Sequence, residues 1–398
     1  MPSSPLPVLE PAPEAATVTV KRTQQDLGPM AVFQRIATAY GISPMQVARD
    51  YASLAFGPGR VSFNDFVRLR LFDQAHWQGC DRRTVVGQRQ NRDLVVCINY
   101  RHDWFGLVTD KIASTSYLAA FGLPTIPIAA IFAPRLATAA PQLLRTREEL
   151  RKFLLSADVY PLFGKPADGF QSLGSIALGR PLARHDELEK IDGSRISLDK
   201  FLDDITQNYS DGYLFQPFIA PHPQAAALHG EKLATARIVT MLDADGPRIF
   251  RASWKIPSGE NIADNYWRSG NLLAKIDMDT GRIERVVSGT GFETTYVTRH
   301  PDSGVSFEGA VLPLWDDMKR VALEAARVMR HMPMIGWDMG CTSSGPVIVE
   351  MNETPDFFLN QFADARGVLE PDFIQFVEAQ KRAAKDYEAR MKRDIAKL

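Results

Sequence analysis

Residues 334–352 constrain the fold more than any other part of this 398-residue chain. They contain two short apolar runs, MIGWDMG and PVIVEMN, which are separated by turn-forming residues. Gly, Ser and Pro between two apolar runs predict a β-hairpin whose turn lies near Ser343 and Ser344. Antiparallel pairing through that turn sets Asp338 opposite Glu350, or one position from it.

The hairpin gathers oxygen-bearing side chains. Because side chains alternate between the two faces of a strand, Glu350 and Asn352 lie on the same face, and Asp338 adds a second carboxylate. Two carboxylates about 4 Å apart repel by roughly 1 kcal/mol in water and by roughly 4 kcal/mol at the effective dielectric of a protein. Mg²⁺ offsets such repulsion and prefers carboxylates, an amide oxygen, water and substrate phosphates. The pattern predicts a magnesium site of Asp338, Glu350 and Asn352; the alternative is a solvated strand end.

A second polar group follows a predicted strand in VYPLFGKPADGFQSLGSIALG. Lys165 ends this strand, and the loop after it contains Gly169, Ser172 and Gly174. Glycines allow backbone N–H groups to approach an anion closely, and the lysine adds a positive charge. The segment indicates a phosphate-binding loop, although it is no Walker A motif. An ordinary β-hairpin explains the same residues, so both interpretations stay open at this point.

The apolar strand GYLFQPFI ends in a Pro-rich turn and is a candidate wall for a flat base. Its contacts are predicted to be Phe215, Gln216 and Phe218, and the alternative is a core strand that meets a loop. Arg237 lies inside the alternating strand KLATARIVTML. Because an unpaired guanidinium is costly to bury, this side chain must face either an acid or a binding cleft. Lys255 and Arg268 follow later, where solvated sheet faces often carry such charges.

The remaining pattern alternates helices with strands. Helical periodicity broken by Gly41, Pro44 and residues 57–59 predicts a small helical segment near the N-terminus. A charged helical stretch is predicted over residues 182–208, and the run DLVVCINY is of uncertain type. A hairpin is expected over NLLAKIDMDTGRIERVV, an amphipathic helix over PLWDDMKRVALEAARVMRHM, and a final helix from Pro371.

Composition excludes several classes of partner. The chain has 46 Lys and Arg against 47 Asp and Glu, so a net charge of -1 provides no general attraction to nucleic acid or acidic membranes. No apolar run is long enough to span a bilayer, and the Pro/Ala-rich start is expected to be a disordered tail rather than a signal peptide. The 3 cysteines have no metal-binding spacing and favour a reducing compartment, so we expect a cytoplasmic protein.

The order of these features resembles the ATP-grasp superfamily: a lysine with a glycine loop, an apolar hinge, an arginine on a strand, and the acids and amide of a hairpin. GWDMG followed by PVIVEMNETP resembles the metal-binding strand pair of that superfamily, and Lys165 matches its phosphate-binding lysine. ATARIVT, ADNYWRSGNLLAKIDMDTG and RHPDSG leading to LPLW resemble the sugar-transfer associated branch, which is related to α-L-glutamate ligases. The resemblance covers residues 62–370, and RVSFNDFVRLRLFD resembles the helical preface of that branch.

The resemblance implies an α+β protein with the ATP-grasp fold, in which two α+β lobes hold ATP behind an N-terminal helical segment. The expected parts are a disordered tail (1–28), the helical segment (29–105), the ATP-grasp catalytic region (106–370) and a C-terminal helix (371–398).

The resemblance also implies roles for individual residues. Lys111 and Lys165 are expected to hold the α- and β-phosphates of ATP, and Arg237 the transferring phosphoryl group or the acylphosphate. The hinge carries Gln216 where many members have an acid, and His222 occupies the region of the usual ribose-binding acid. The acceptor-side candidates are Lys255, Asp264, Asn265, Arg268 and Asn271.

The implied activity is ATP-dependent, ADP-forming ligation of a small-molecule carboxylate to an amine or a sugar-linked substrate through an acylphosphate, with ATP and Mg²⁺ as cofactors. Such chemistry depends mainly on positioning and charge neutralisation. One alternative is a phosphotransferase that acts on a hydroxyl or sugar. Another is a non-catalytic nucleotide-binding partner in glycan biosynthesis, which the presence of the phosphate and metal candidates disfavours.

Overall fold

The computed structural model describes residues 28–136, 142–168, 174–182, 184 and 186–397. In this part of the chain, two seven-stranded sheets form two α+β lobes, and a helical segment precedes them. The expected tail lies outside the described residues except for its last residue, and the loop residues Gly169 and Ser172 also lie outside them. The α+β class predicted from the sequence is confirmed.

The N-terminal helical segment contains the helices α1 (Pro29–Tyr40), α2 (Pro44–Ala55), α3 (Phe63–Arg68) and α4 (Gln88–Ile98). The predicted breaks are confirmed, because Gly41 ends α1 with a left-handed φ of 65° and Pro44 begins α2. Capping boxes at Ser43 and Ser62 satisfy the first free N–H groups of α2 and α3. The run DLVVCINY, which the sequence left open, lies mostly in α4.

The helices α5 (Phe105–Thr109) and α6 (Lys111–Ala120) come before the first sheet in the chain, but Val108 and Leu118 pack in the apolar cluster of the second lobe. The strands of the first lobe are β1 (Ala130–Phe132), β2 (Leu143–Leu144), β3 (Leu162–Pro166), β4 (Ile176–Leu182), β5 (Glu187–Lys190), β6 (Arg195–Ser197) and β7 (Tyr213–Pro217). The strand order is β2-β1-β7-β3-β4-β5-β6. The helices α7 (Arg147–Leu155) and α8 (Leu198–Asn208) bury Leu154 and Leu202 in the same core as Leu162 and Phe215 of the sheet.

One expectation for this lobe is wrong. We predicted a charged helix over residues 182–208, but α8 begins only at Leu198. Residues 187–197 form the antiparallel hairpin of β5 and β6, which turns at Asp192 and at Gly193 with φ 80°. Asp-Gly favours hairpin turns, and Leu188 alone among its charged neighbours is fully buried. A single buried residue gives too weak an alternating pattern to predict a strand in a stretch with so many charged residues.

The second lobe follows the helix α9 (Pro223–His229). Its strands are β8 (Thr235–Asp243), β9 (Gly246–Ile256), β10 (Leu272–Ile276), β11 (Ile283–Ser288), β12 (Thr295–Tyr296), β13 (Met334–Thr342) and β14 (Gly345–Asn352), and the helices are α10 (Trp315–Val328), α11 (Phe357–Asp364) and α12 (Pro371–Ile395). The strand order is β12-β11-β10-β9-β8-β13-β14. Within the described residues, no helix is both long and apolar enough to span a bilayer.

The predicted hairpin of β13 and β14 is confirmed. Thr342 pairs with Gly345, so Ser343 and Ser344 form the turn, and Asp338 lies opposite Glu350. The pairing register shifts directly after Asp338, which marks a β-bulge at this point. The bulge lies beside the two carboxylates that the sequence placed together.

Alternation gives the second sheet two different faces. Ile238 and Trp254 belong to the apolar face that α10 covers. Val239 points to the opposite face, which packs against α11 and α12. Arg237 and Lys255 share this second face, at the end of the strands that borders the first lobe. The sheet thus presents charges where its helical cover ends.

The helical segment is part of the core of the second lobe. Phe66 of α3 packs in one apolar cluster with Leu273 and Val287 of the sheet and with Phe362 of α11. A separate cluster joins α4 to α12. Buried contacts therefore cross the domain boundaries expected at residues 105 and 370. The boundaries themselves stay predictions.

We predict that Gly367→Ala lowers the free energy of unfolding by about 1–3 kcal/mol through overpacking. A Cβ at Gly367 would lie 2.4 Å from the backbone carbon of Thr84, which belongs to the helical segment. The matched control is Gly106→Ala in α5, because a Cβ there meets nothing within 4 Å. Urea unfolding followed by circular dichroism measures both variants, and equal stability of the two would contradict the close contact.

Candidate active site

A cleft of about 460 Å³ lies between the two sheets. This volume is typical of a small-molecule site. The first lobe contributes Phe163 and Lys165 of β3 and the hinge residues 216–219. The second lobe contributes Asp338 in the middle of β13 and the ends of β8, β9 and β14, together with residues of the loop 262–267 and the start of α11. Both lobes therefore supply side chains to one cavity.

Asp338 lies at the centre of a buried ion network on the second lobe. Arg237 Nε donates to Asp338 Oδ1 at 2.7 Å, and Arg237 Nη2 donates to Oδ2 at 3.1 Å. Lys255 Nζ lies 3.1 Å from Asp338 Oδ2 and 3.5 Å from Asp264 Oδ1. Asp264 Oδ2 accepts the backbone N–H and the hydroxyl of Thr235 at 2.7 and 2.5 Å. Two cations and two carboxylates thus neutralise one another.

Strand register explains why these charges meet. Arg237 pairs with Asp338 across β8 and β13, and Thr235 pairs with Lys255 across β8 and β9. Neighbours on one sheet face lie close enough for long side chains to reach one another. Gly336 leaves room for the guanidinium arm, because a Cβ at this position would lie 3.2 Å from Arg237 Cδ. The contacts among Arg237, Lys255 and Asp338 follow from the sheet, and Asp264 joins them from the loop 262–267.

The ion pairs determine the protonation of the network. Burial alone would raise the pKa of Asp338, but Arg237 and Lys255 hold this pKa well below its ordinary range. Burial would lower the pKa of Arg237, but Asp338 raises it. The folded pKa of Asp338 is depressed, so its stabilising effect is present above the ordinary pKa of an aspartate and is lost as the pH falls through the folded value.

Two lysines face the second strand of the hairpin. Lys111 begins α6, and its Nζ lies 3.4 Å from Glu350 Oε1. Lys165 is only 7% exposed, and burial lowers the pKa of its ammonium group to about 8, against the opposing effect of Glu350. Asn352 lies on the same face as Glu350 and donates its amide N–H to the carbonyl of Gly336 at 3.3 Å. The amide oxygen is not used in that bond.

The oxygen donors fit a magnesium ion that arrives with a phosphate-bearing ligand. Glu350 and Asn352 line the cleft with oxygen atoms, whereas both oxygens of Asp338 accept bonds from Arg237 and Lys255. Within the described residues, no group of three or more His, Cys, Asp or Glu side chains could hold a metal ion. Because Mg²⁺ usually keeps waters and takes phosphate oxygens, an incomplete protein set is sufficient. Direct ligation by Asp338 stays a prediction.

The hinge after β7 forms another wall. Gln216 and Phe218 line the cleft, and Gln216 Nε2 donates to the carbonyl of Ile126 at 2.8 Å. Phe215 points to the other face and is fully buried in the core of the first lobe. The Nδ1 atom of His222 accepts the N–H of Gln224 at 3.2 Å and caps α9. The structure thus brings the predicted residues Gln216 and Phe218 to the cleft. Phe215 and His222 make structural contacts instead.

The described cleft lining also omits Arg268 and Asn271. The side chain of Asn271 is buried and holds the loop before β10, where it accepts the N–H of Ser258 at 3.1 Å and donates to the carbonyl of Ala263 at 2.9 Å. Arg268 lies in the same loop, and its backbone N–H donates to the carbonyl of Asn265 at 3.0 Å. Asn271 therefore shapes the loop that carries Asp264.

Several lining residues were not predicted. Among the described residues, Ser175 lines the cleft, whereas its predicted neighbour Gly174 does not. Trp267 Nε1 donates to Asp356 Oδ2 at 2.8 Å, and Asp356 Oδ1 accepts the N–H of Phe358 at 3.0 Å at the start of α11. An Asp immediately before an apolar helical run is an N-cap signal, so Asp356 could have been found. The other unpredicted lining residues include Ile126, Leu233, Thr235 and Thr354.

Two α+β lobes enclose a cleft between their sheets, in which Lys111 and Lys165 face Glu350 and Asn352 of β14, and this arrangement fits the ATP-grasp fold. The chain belongs to the sugar-transfer associated ATP-grasp family, whose sequence model matches residues 89–376. This match covers more than half of the chain and confirms the predicted resemblance. A comparison with curated proteins finds no match.

Solved structures give more distant likenesses. The D-alanine-D-alanine ligase from Coxiella burnetii shares 15% identity at a TM-score of 0.42, over 73% of this chain and 62% of the ligase. The corresponding ligase from Bacillus anthracis shares 15% identity at a TM-score of 0.39, over 71% and 70%. An L-amino acid ligase from Bacillus licheniformis shares 10% identity at a TM-score of 0.32, over 65% and 43%. Likenesses this distant do not identify an activity.

We predict that Asp338→Asn lowers the free energy of unfolding by about 3–5 kcal/mol, because it leaves two buried cations without their shared partner. The matched control is Asp316→Asn, whose side chain is 90% exposed and pairs with Lys319 on α10. This exposed pair contributes about 1 kcal/mol or less. Urea unfolding at pH 7 compares the two variants. Similar losses in both would contradict the central role of Asp338.

Proposed function

We propose that this protein is an ATP-dependent, ADP-forming ligase that joins a small-molecule carboxylate to an amine. The observation that carries the proposal is the juxtaposition of Lys111 and Lys165 with Glu350 and Asn352 in the cleft of an ATP-grasp fold. Lysines bind phosphate oxygens, whereas a carboxylate and an amide oxygen bind magnesium. Family membership supports the use of ATP.

Each side chain has a proposed role in this reaction. Lys111 and Lys165 hold the phosphates of ATP, and Glu350 and Asn352 hold Mg²⁺. The magnesium ion supplies charge neutralisation to the phosphate oxygens when it is bound. The hinge residues Gln216 and Phe218 provide a wall for the base. Because the protein mainly positions its substrates, no dedicated general base is required.

Arg237 and Lys255 are proposed to stabilise charge that develops during phosphoryl transfer. Their bonds to Asp338 fix both cations before any ligand enters. Preorganised charges of this kind cost little reorganisation at the moment of reaction. A carboxylate oxygen of the substrate attacks the γ-phosphorus and ADP leaves. The amine then attacks the acyl carbon, loses a proton, and releases phosphate that retains one carboxylate oxygen.

The compartment expected from the sequence is part of the same proposal. Cys80, Cys97 and Cys341 all lie in the described residues, and each is a free thiol. A reducing compartment that supplies ATP would suit these thiols. We propose the cytoplasm on this basis.

The decisive experiment follows one oxygen atom. Carboxylates labelled with ¹⁸O are incubated with the protein, MgATP and an amine panel, and the released phosphate is analysed by mass spectrometry. A ligase transfers one label from each carboxylate to phosphate. Phosphate without label indicates hydrolysis by water, and a phosphorylated hydroxyl product without free phosphate indicates a phosphotransferase.

We predict that Lys165→Ala weakens MgATP binding about tenfold or more, equivalent to about 1.4 kcal/mol, without lowering the melting temperature. The pKa of Lys165 is about 8 without ligand, and phosphates favour its charged form. Wild-type affinity should therefore fall as the pH rises above 8, whereas the variant should lose this dependence. Isothermal titration from pH 7 to 9.5 measures both effects. The control is Lys275→Ala, which removes a pair with Glu284 outside the cleft. A large loss of stability in Lys165→Ala would favour a structural role.

A further inference from the structure

One side of the cleft is formed by an aromatic ring and a carboxylate. Trp267 and Asp356 both line the cleft, and the indole N–H holds one carboxylate oxygen at 2.8 Å. The N–H of Phe358 holds the other oxygen at 3.0 Å. An ionised carboxylate has about four acceptor positions, so Asp356 keeps capacity for a donor that enters from the cleft. Its orientation is fixed by two hydrogen bonds.

The helical segment supports this pair from behind. The guanidinium carbon of Arg68, the last residue of α3, lies 3.6 Å from the centroid of the Trp267 ring. Arg68 is not among the described residues that line the cleft, so it contacts the ring from the side of the helical segment. Asp65 on the same helix accepts the N–H groups of Ser62 and Gln88 at 3.0 and 3.1 Å. These bonds anchor α3 where it presents Arg68.

The charge at this side of the cleft selects among substrate groups. A fixed carboxylate repels another carboxylate and attracts an ammonium group. Arg68 and Arg237 also act on the charge of Asp356, so selection rests on the acceptor positions that this carboxylate keeps open to the cleft. The lysine side of the cleft has the opposite preference, because Lys111 and Lys165 are cations. The two reacting partners of a ligation therefore meet surfaces of opposite character.

We infer that Trp267 and Asp356 form the subsite for the ammonium group of the amine substrate, and that Arg68 is the positioning residue of this subsite. The inference rests on the proposed ligase function and adds a role for the helical segment. Asp356 accepts hydrogen bonds from the ammonium group, and Arg68 holds the ring that orients Asp356. An amine binds here in its protonated form and releases one proton to solvent before its neutral nitrogen attacks the acyl carbon.

The test uses the indole N–H of Trp267 as a reporter that does not require turnover. Indole signals of the full-length ¹⁵N-labelled protein are recorded by NMR, and the signal of Trp267 is assigned by its loss in Trp267→Phe. Ethanolamine at pH 7 is the ammonium probe, and ethylene glycol is its neutral match. We expect a saturable shift with ethanolamine alone, and binding about tenfold weaker in Asp356→Asn.

Variants of Arg68 separate positioning from general stability. We expect Arg68→Ala to weaken ethanolamine binding about fivefold and Arg68→Lys, which keeps a cation over the ring, to recover most of it. The matched control is Arg35→Ala. Arg35 belongs to the same helical segment, and its guanidinium carbon lies 4.1 Å from the centroid of the Phe292 ring, but Arg35 does not line the cleft. Arg35→Ala should bind ethanolamine normally, and Arg35→Ala and both Arg68 variants should retain their MgATP affinity.

Several outcomes would overturn the inference: no saturable shift of the Trp267 signal, an equal response to ethylene glycol, or normal ethanolamine binding by Arg68→Ala. If Arg68→Ala does not fold, the wild-type titration and Arg68→Lys decide. Transfer of ¹⁸O without ethanolamine binding refutes the subsite alone. Ethanolamine binding at Trp267 without ¹⁸O transfer refutes the ligase and leaves the subsite standing.

Discussion

The bidentate contact between Arg237 and Asp338 is the interaction on which the rest of the cleft depends. Each of the two side chains is only 8% exposed. Removing a charge from water costs several kcal/mol, so a buried pair persists only where geometry and further hydrogen bonds are favourable. The pairing of β8 with β13 supplies that geometry, and Lys255 supplies the third charge. Any change of register would leave these groups buried without partners.

The network also holds parts of the chain that lie far from the hairpin. Asp264 joins the loop 262–267 to β8 and β9 through Thr235 and Lys255. Trp267 in the same loop contacts Asp356 at the start of α11, and α11 shares an apolar cluster with the helical segment. The cleft, the loop and the helical segment are consequently parts of one packed unit. A change in the helical segment can reach the cleft through buried contacts.

The sequence predicted the elements that local patterns specify. Alternating apolar residues and turn residues were enough to predict the hairpin of β13 and β14. The cost of burying the Arg237 guanidinium was enough to predict an acid or a cleft beside it. The identity of that acid could not be read locally, because Asp338 lies 101 residues away along the chain. The same alternation shows why Phe215 is in the core, since Gln216 and Phe218 occupy the other face of the strand.

Loops and short strands were less predictable for a physical reason. Asn271 and His222 are polar residues beside the cleft region in sequence, but their hydrogen bonds go to neighbouring backbone groups. Such local bonds compete with ligand contacts and leave no periodic signal. The hairpin of β5 and β6 was missed because Leu188 alone carries its buried face. Gly169 and Ser172 lie outside the described residues, and their phosphate contacts stay predictions.

The charges of the cleft balance before any ligand enters. Among the described lining residues, the cations are Lys111, Lys165, Arg237 and Lys255, and the carboxylates are Asp264, Asp338, Glu350 and Asp356. Equal numbers allow these groups to be buried together, because the opposite charges offset one another. A triphosphate entering a site with no excess positive charge would be poorly stabilised by the protein alone. Under the proposed function, binding would therefore depend on the cation that accompanies the triphosphate and on full protonation of Lys165, whose pKa is about 8.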